Sequence, residues 1–186
     1  MNFRSLIIIF STFIWILIPL RQYKTRFFGY FFVLAVIDLI FFIAHRFIFI
    51  NSLYYYLFGT ILLVYPTLFE LNRKNKILLI STLTLFGTLV VFYAPLYSAL
   101  FQIAIHIMIM VFFLKILVIY YSQKRKLLIF HLILVIYEFS VILKFFIVYS
   151  ETKIILPYFL VTTVFEMLMG LFFILKNEIN SPELKL

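Results

Sequence analysis

Asp38, His106, Glu138 and Glu166 are ionisable residues set near the middle of four separate apolar stretches in a chain of 186 residues. A charged side chain at the centre of a bilayer costs about 2.5–3.5 kcal/mol on insertion scales, so such groups turn toward the interior of a helix bundle, find partners there, and mark ligand, cation or proton sites. Four of them at one depth on four segments predict a shared polar centre.

Helical spacing extends that centre. Residues four or seven apart lie on nearly one face of a helix, which groups Asp38 with His45, His131 with Glu138, and Gln102 with His106. His45 and Gln102 carry their polar faces toward one membrane surface and His131 toward the other. Lys144 lies six residues from Glu138, off its face, so it either pairs with an acid on another helix or snorkels to a membrane surface, as Lys115 is expected to do toward the opposite one. The predicted ligand- or ion-binding set is therefore Asp38, Gln102, His106, Glu138, Lys144 and Glu166, with His45 and His131 as secondary members in structural or interfacial positions. Thr162, Thr163 and Gly170 share a small, polar stripe with Glu166, suited to close helix approach. Ser81, Thr84, Gly87 and Thr88 are expected to serve packing alone.

Much other chemistry is excluded. With no cysteine there are no disulfides, thiolate metal ligands or cysteine nucleophiles. The three histidines lack the spacing of a zinc motif, and there is no nucleophile elbow, phosphate loop or dinucleotide fingerprint among only four glycines. A retinal Schiff base needs a lysine midway along a last span, where Glu166 stands instead. No metal, cofactor or catalytic residue is predicted, and a non-enzymatic role is expected over an intramembrane hydrolase.

The elements that must hold these residues follow from composition. The chain is 66% hydrophobic and 12% charged, too apolar for water to be its main solvent. A spanning helix needs about 20 apolar residues, and breaks in the pattern predict spans at about 4–22, 27–49, 52–70, 77–95, 97–121, 127–149 and 155–176. The fold class is all-α: a bundle of seven transmembrane helices over residues 1–176, followed by a polar tail, 177–186, expected to be mobile. The stretch Leu6 to Leu20 is read as a retained first span, because basic residues stand where a cleavage site would lie. Tyrosines cluster near span ends as an aromatic belt, and prolines avoid span centres.

Three basic knots, Arg21/Lys24/Arg26, Arg73/Lys74/Lys76 and Lys124/Arg125/Lys126, fall in every second gap. Lys and Arg stay cytoplasmic during insertion, and eleven of the sixteen basic residues fall on one side of this frame, so the N-terminus is predicted outside and the C-terminus inside. The net charge of +9 is thus topogenic rather than a nucleic-acid footprint.

The functional expectation is a small sensory or regulatory membrane module with a buried polar site, acting through a membrane or cytoplasmic protein partner. The alternatives are a proton- or ion-coupled carrier of small solutes and a non-catalytic accessory subunit of a membrane complex. The lipid bilayer is the one certain partner, and an Ile/Lys/Asn/Phe-rich vocabulary points to a bacterial inner membrane.

Overall fold

A computed structural model of the chain describes residues 3–47, 52–149 and 155–185. Among them are seven α-helices: α1 (Phe3–Gln22), α2 (Phe28–Phe47), α3 (Ser52–Thr67), α4 (Arg73–Tyr93), α5 (Ser98–Lys124), α6 (Ile129–Tyr149) and α7 (Ile155–Leu175). Four of these, α4 to α7, are long and apolar enough to cross a membrane, while α1, α2 and α3 carry shorter apolar stretches, Ile9–Gln22, Phe28–Ile40 and Tyr55–Thr67. Large apolar side chains such as Phe13, Phe32, Leu62, Phe86, Val118, Phe139 and Leu168 are exposed on every helix. A surface so continuously apolar is what lipid contact requires, and the chain is an integral membrane protein by this criterion.

Two helices run further than the hydropathy pattern predicts. The knot Arg73/Lys74/Lys76 forms the first turn of α4 instead of a loop, because Asn72 caps that turn by accepting a hydrogen bond from the Asn75 amide at 2.9 Å. At the other boundary α5 continues through Lys124 and stops at Arg125, whose left-handed conformation (φ 52°) ends the helix. Apolar length marks the bilayer, whereas backbone hydrogen bonding marks the helix, so basic residues in terminal turns belong to both a helix and an aqueous face.

Helix packing closes a ring. α1 packs on α2 and α7, α2 on α3, α3 on α5, α5 on α6, and α6 on α7, while α4 lies outside against α3 and α5. Gly87 lets α4 approach, with Phe101 and Leu57 around it, and Gly170 lets α7 meet α1. A Cβ at Gly170 would fall 2.7 Å from the buried Ile14 side chain, the close contact that a small-residue stripe permits.

The interior differs along its length. Toward the end bearing the basic knots it is filled by Phe27, Tyr30, Phe31, Phe130 and Phe173, none with exposed surface. Their rings meet edge-on or tilted, Phe27 on Phe130 at 5.4 Å, Phe130 on Phe173 at 5.3 Å and Phe31 on Phe173 at 4.9 Å. Edge-to-face aromatic pairs contribute about 0.5–1.5 kcal/mol beyond area burial, so this end is a dense aromatic plug.

The tail is not the mobile segment that its polarity predicts. Residues Glu183–Lys185 form a strand, β2, that pairs antiparallel with β1 (Lys126–Leu128) just after α5. The Ile129 amide donates to the Pro182 carbonyl at 3.2 Å and the Phe130 amide to Ser181 Oγ at 3.0 Å, so the tail satisfies the free first-turn donors of α6. Hydrogen bonds from Lys126 and then Tyr120, each 2.5 Å, hold the Glu183 carboxyl below the usual carboxylate range.

Gln22 completes this clasp. Fully buried at the end of α1, its Nε2 donates to the carbonyls of Phe173 at 2.8 Å and Lys176 at 2.9 Å, which are C-terminal carbonyls of α7 with no helical donor. Substituting Gln22→Leu strands both acceptors. The expected cost is about 1–3 kcal/mol, read as a lower midpoint of thermal unfolding in mild detergent; an unchanged midpoint would show that the two carbonyls do not depend on Gln22.

Candidate functional site

A cavity of about 480 Å³ occupies the middle of the six-helix ring and extends toward the end where α3, α5 and α7 begin. Ser11, Thr12 and Trp15 of α1 line it, with Asp38 of α2 and Thr60 of α3. The opposite wall holds Gln102 and His106 of α5, Lys144 of α6, and Thr163 and Glu166 of α7. Six of the eight sequence-predicted site residues are brought to this region; Glu138 stands behind the wall rather than in it.

Glu138 has no exposed surface and fixes the wall from behind. Its Oε2 lies 2.8 Å from His106 Nδ1, and its Oε1 accepts a hydrogen bond from the Tyr30 hydroxyl. With Nδ1 donating to the carboxylate, His106 Nε2 is left to face Thr60 Oγ1 at 3.4 Å, and the ring stacks on Phe145 at 5.5 Å. The imidazole is held on both nitrogens and one face, so its orientation is set by three helices at once.

Glu166 is held differently. Its Oε2 pairs with Lys144 Nζ, and its Oε1 accepts from Ser140 Oγ at 3.3 Å. Lys144 Nζ also donates to Thr163 Oγ1 at 3.3 Å and sits 4.9 Å from the Phe159 ring centroid. This is one of the two expectations for Lys144: an acid on another helix, reached across the α6–α7 contact.

Asp38 and Gln102 remain. Asp38 is half-buried in the cavity wall, with no hydrogen bond or ion pair among the described residues. Gln102 is buried; its Nε2 reaches the Ser98 carbonyl at 3.4 Å, and its Oε1 has no partner. Comparison with family models, curated proteins and solved structures finds no match. The chemistry of the site is therefore carried by its own geometry. It offers two acceptors without donors, two satisfied acid–base pairs, and walls rich in Trp15, Tyr56 and Tyr137. Among the described residues no three His, Asp or Glu side chains converge to hold a metal ion.

Of the secondary histidines, His131 does not join the cavity. His131 lies at the basic end, where its Nε2 is 3.0 Å from both Glu178 Oε1 and an Arg26 nitrogen, and Glu178 also pairs with Arg26. It ties the loop between α1 and α2 to the tail. The side chain of His45 lies outside the described residues. Lys115 is exposed and pairs with Glu70 at 2.5 Å, as expected for a side chain reaching toward a surface.

Sequence reasoning passed over Tyr30, Thr60, Ser140 and Gln22. Tyr30 carried no spacing signal, because eight residues before Asp38 it lies about 80° around the helix from it. Hydroxyls are common and cheap to place in apolar helices, so Thr60 and Ser140 become legible only once Glu138 and Glu166 have positions.

Proposed function

We propose that the chain is a seven-span membrane protein, with its N-terminus outside and its C-terminus inside, that binds a small solute in the central cavity and signals occupancy to a partner at its basic inner face. It is a sensory or regulatory module, and its composition suits a bacterial cytoplasmic membrane. The observation that carries this reading is the axial asymmetry. Every polar wall residue lies from the middle of the ring toward the outer end, whereas the inner half is an aromatic plug closed by the tail clasp. A cup closed below receives a ligand from one side, and the basic knots Arg73/Lys74/Lys76 and Lys124/Arg125/Lys126 stand at the opposite face.

A carrier is the second reading. The buried pairs Glu138/His106 and Glu166/Lys144 are the groups that proton-coupled alternating access would use. One experiment separates the two and tests topology as well. The chain has no cysteine, so single substitutions Thr60→Cys, Thr163→Cys, Lys74→Cys and Lys126→Cys can each be probed in sealed right-side-out vesicles with a small membrane-impermeant thiol reagent. The sensory reading expects Thr60→Cys and Thr163→Cys to react from outside, and Lys74→Cys and Lys126→Cys only after permeabilisation. Reaction of the cavity positions from both faces would favour the carrier; reaction of Lys74→Cys from outside would overturn the orientation.

A further inference from the structure

Resting on the reading of the cavity as a solute site, we infer that its ligand is a small organic ammonium ion, a protonated amine on an apolar or aromatic body.

The unmatched groups in the wall define the ligand's complement. Glu166 is matched by Lys144 and Ser140, and Glu138 by His106 and Tyr30. Asp38 is the one carboxyl of the cavity without a hydrogen bond or a direct ion pair among the described residues, Lys144 of the same wall being held by Glu166 and Thr163. A carboxylate in an apolar bundle is stabilised by a counter-charge at contact distance, and a cationic ligand would supply Asp38 with the one that Lys144, engaged elsewhere, does not. Gln102 adds a second constraint. Its Oε1 is buried and unpartnered, and the amide cannot be turned around without setting that oxygen against the Ser98 carbonyl that Nε2 now meets. Asp38 and Gln102 Oε1 are both acceptors left without a donor, and an ammonium group supplies up to three donors with the charge.

The remaining walls disfavour multivalent metal ions and suit an organic cation. A bare divalent or transition-metal ion needs several carboxylate or imidazole ligands, and the described residues offer no such group. Trp15, Tyr56 and Tyr137 instead present aromatic surface, which attracts ammonium ions through the ring quadrupole and packs an apolar body. A volume of about 480 Å³ lies in the usual range for small-molecule sites, about 300–1,000 Å³. An anionic ligand would meet Asp38 with no free cation among the described lining residues to receive it, since Lys144 is already held by Glu166 and Thr163.

Trp15, the single tryptophan of the chain, lines the cavity with its ring 4.7 Å from Tyr137, so its fluorescence reports on the site alone. Purified protein in nanodiscs is titrated with primary amines from ethylammonium to phenethylammonium, and in parallel with 2-phenylethanol and 3-phenylpropionate. A saturable Trp15 change is expected for the aromatic amine, with the neutral and anionic analogues at least tenfold weaker. Asp38→Asn should weaken the amine at least tenfold, and Gln102→Leu, which leaves every charge in place, should weaken it several-fold. Equal or tighter binding of the alcohol or the carboxylate, or amine binding indifferent to both substitutions, would overturn the ammonium assignment and leave the cavity as a solute site. Silence of Trp15 toward every probe, with Thr60→Cys unreactive from outside, would overturn the solute site itself.

Discussion

Substituting Lys144→Met is expected to cost about 3–5 kcal/mol of unfolding free energy, the range for breaking one half of a buried ion pair. Glu166 would keep only the Ser140 hydroxyl at 3.3 Å, in a bundle where its side chain has little access to solvent. The cost is therefore mainly the stranded carboxylate rather than the lost attraction. It follows that Lys144→Met with Glu166→Gln together should destabilise less than Lys144→Met alone, because the second change removes the charge that the first exposed. Denaturation in graded SDS, compared across the two single variants and the double variant, measures this directly. Additive losses would show that the two side chains act independently.

Removing the Glu138 carboxyl should have the next largest effect, about 3 kcal/mol for Glu138→Ala. Interhelical hydrogen bonds in membrane proteins average about 0.6 kcal/mol with a maximum near 1.7, so the two bonds from Tyr30 and His106 alone would supply about 1–3 kcal/mol. The void left by a side chain without exposed surface adds to this. Glu138→Gln separates the contributions. The amide oxygen can still accept from Tyr30, while its NH₂ meets His106 Nδ1, which becomes an acceptor if the imidazole proton moves to Nε2 beside Thr60 Oγ1. Glu138→Gln should thus retain most of the stability, and the His106 ring resonances should report the changed tautomer. Stability of Glu138→Ala equal to that of the parent chain would show that the three-helix junction is held by apolar packing alone.

The helices were legible because the bilayer imposes a length and a charge rule together. The seven predicted stretches coincide with the seven observed helices to within a few residues; the largest extensions, at Arg73 and Lys124, occur where basic residues enter terminal turns, and α3 ends three residues early at Thr67. Which polar residues face inward was also legible in outline, since Asp38, His106 and Glu166 converge on one cavity. Pairing was not. Lys144 could have met any of three acids, and its choice of Glu166 depends on the α6–α7 contact, which no local spacing encodes. The tail escaped for a different reason: its polarity indicates solvent, and a three-residue strand carries no periodicity that could reveal a partner 57 residues away in the Lys126–Glu183 pair. Gln22 was equally silent, because one amide at a helix end has no pattern.

The contrast between the tightly interlocked phenylalanine layer and the hollow above it has a mechanical consequence. Close-packed interiors compress little and shift as blocks, whereas helix segments bordering a void have fewer contacts to oppose displacement. A molecule entering the hollow would therefore displace most easily the helix ends that border it, with the phenylalanine layer as the fulcrum about which they lean. On the proposed sensory reading, small inward tilts above that fulcrum become opposite movements of the charged ends below it, so filling the hollow changes the shape of the far side.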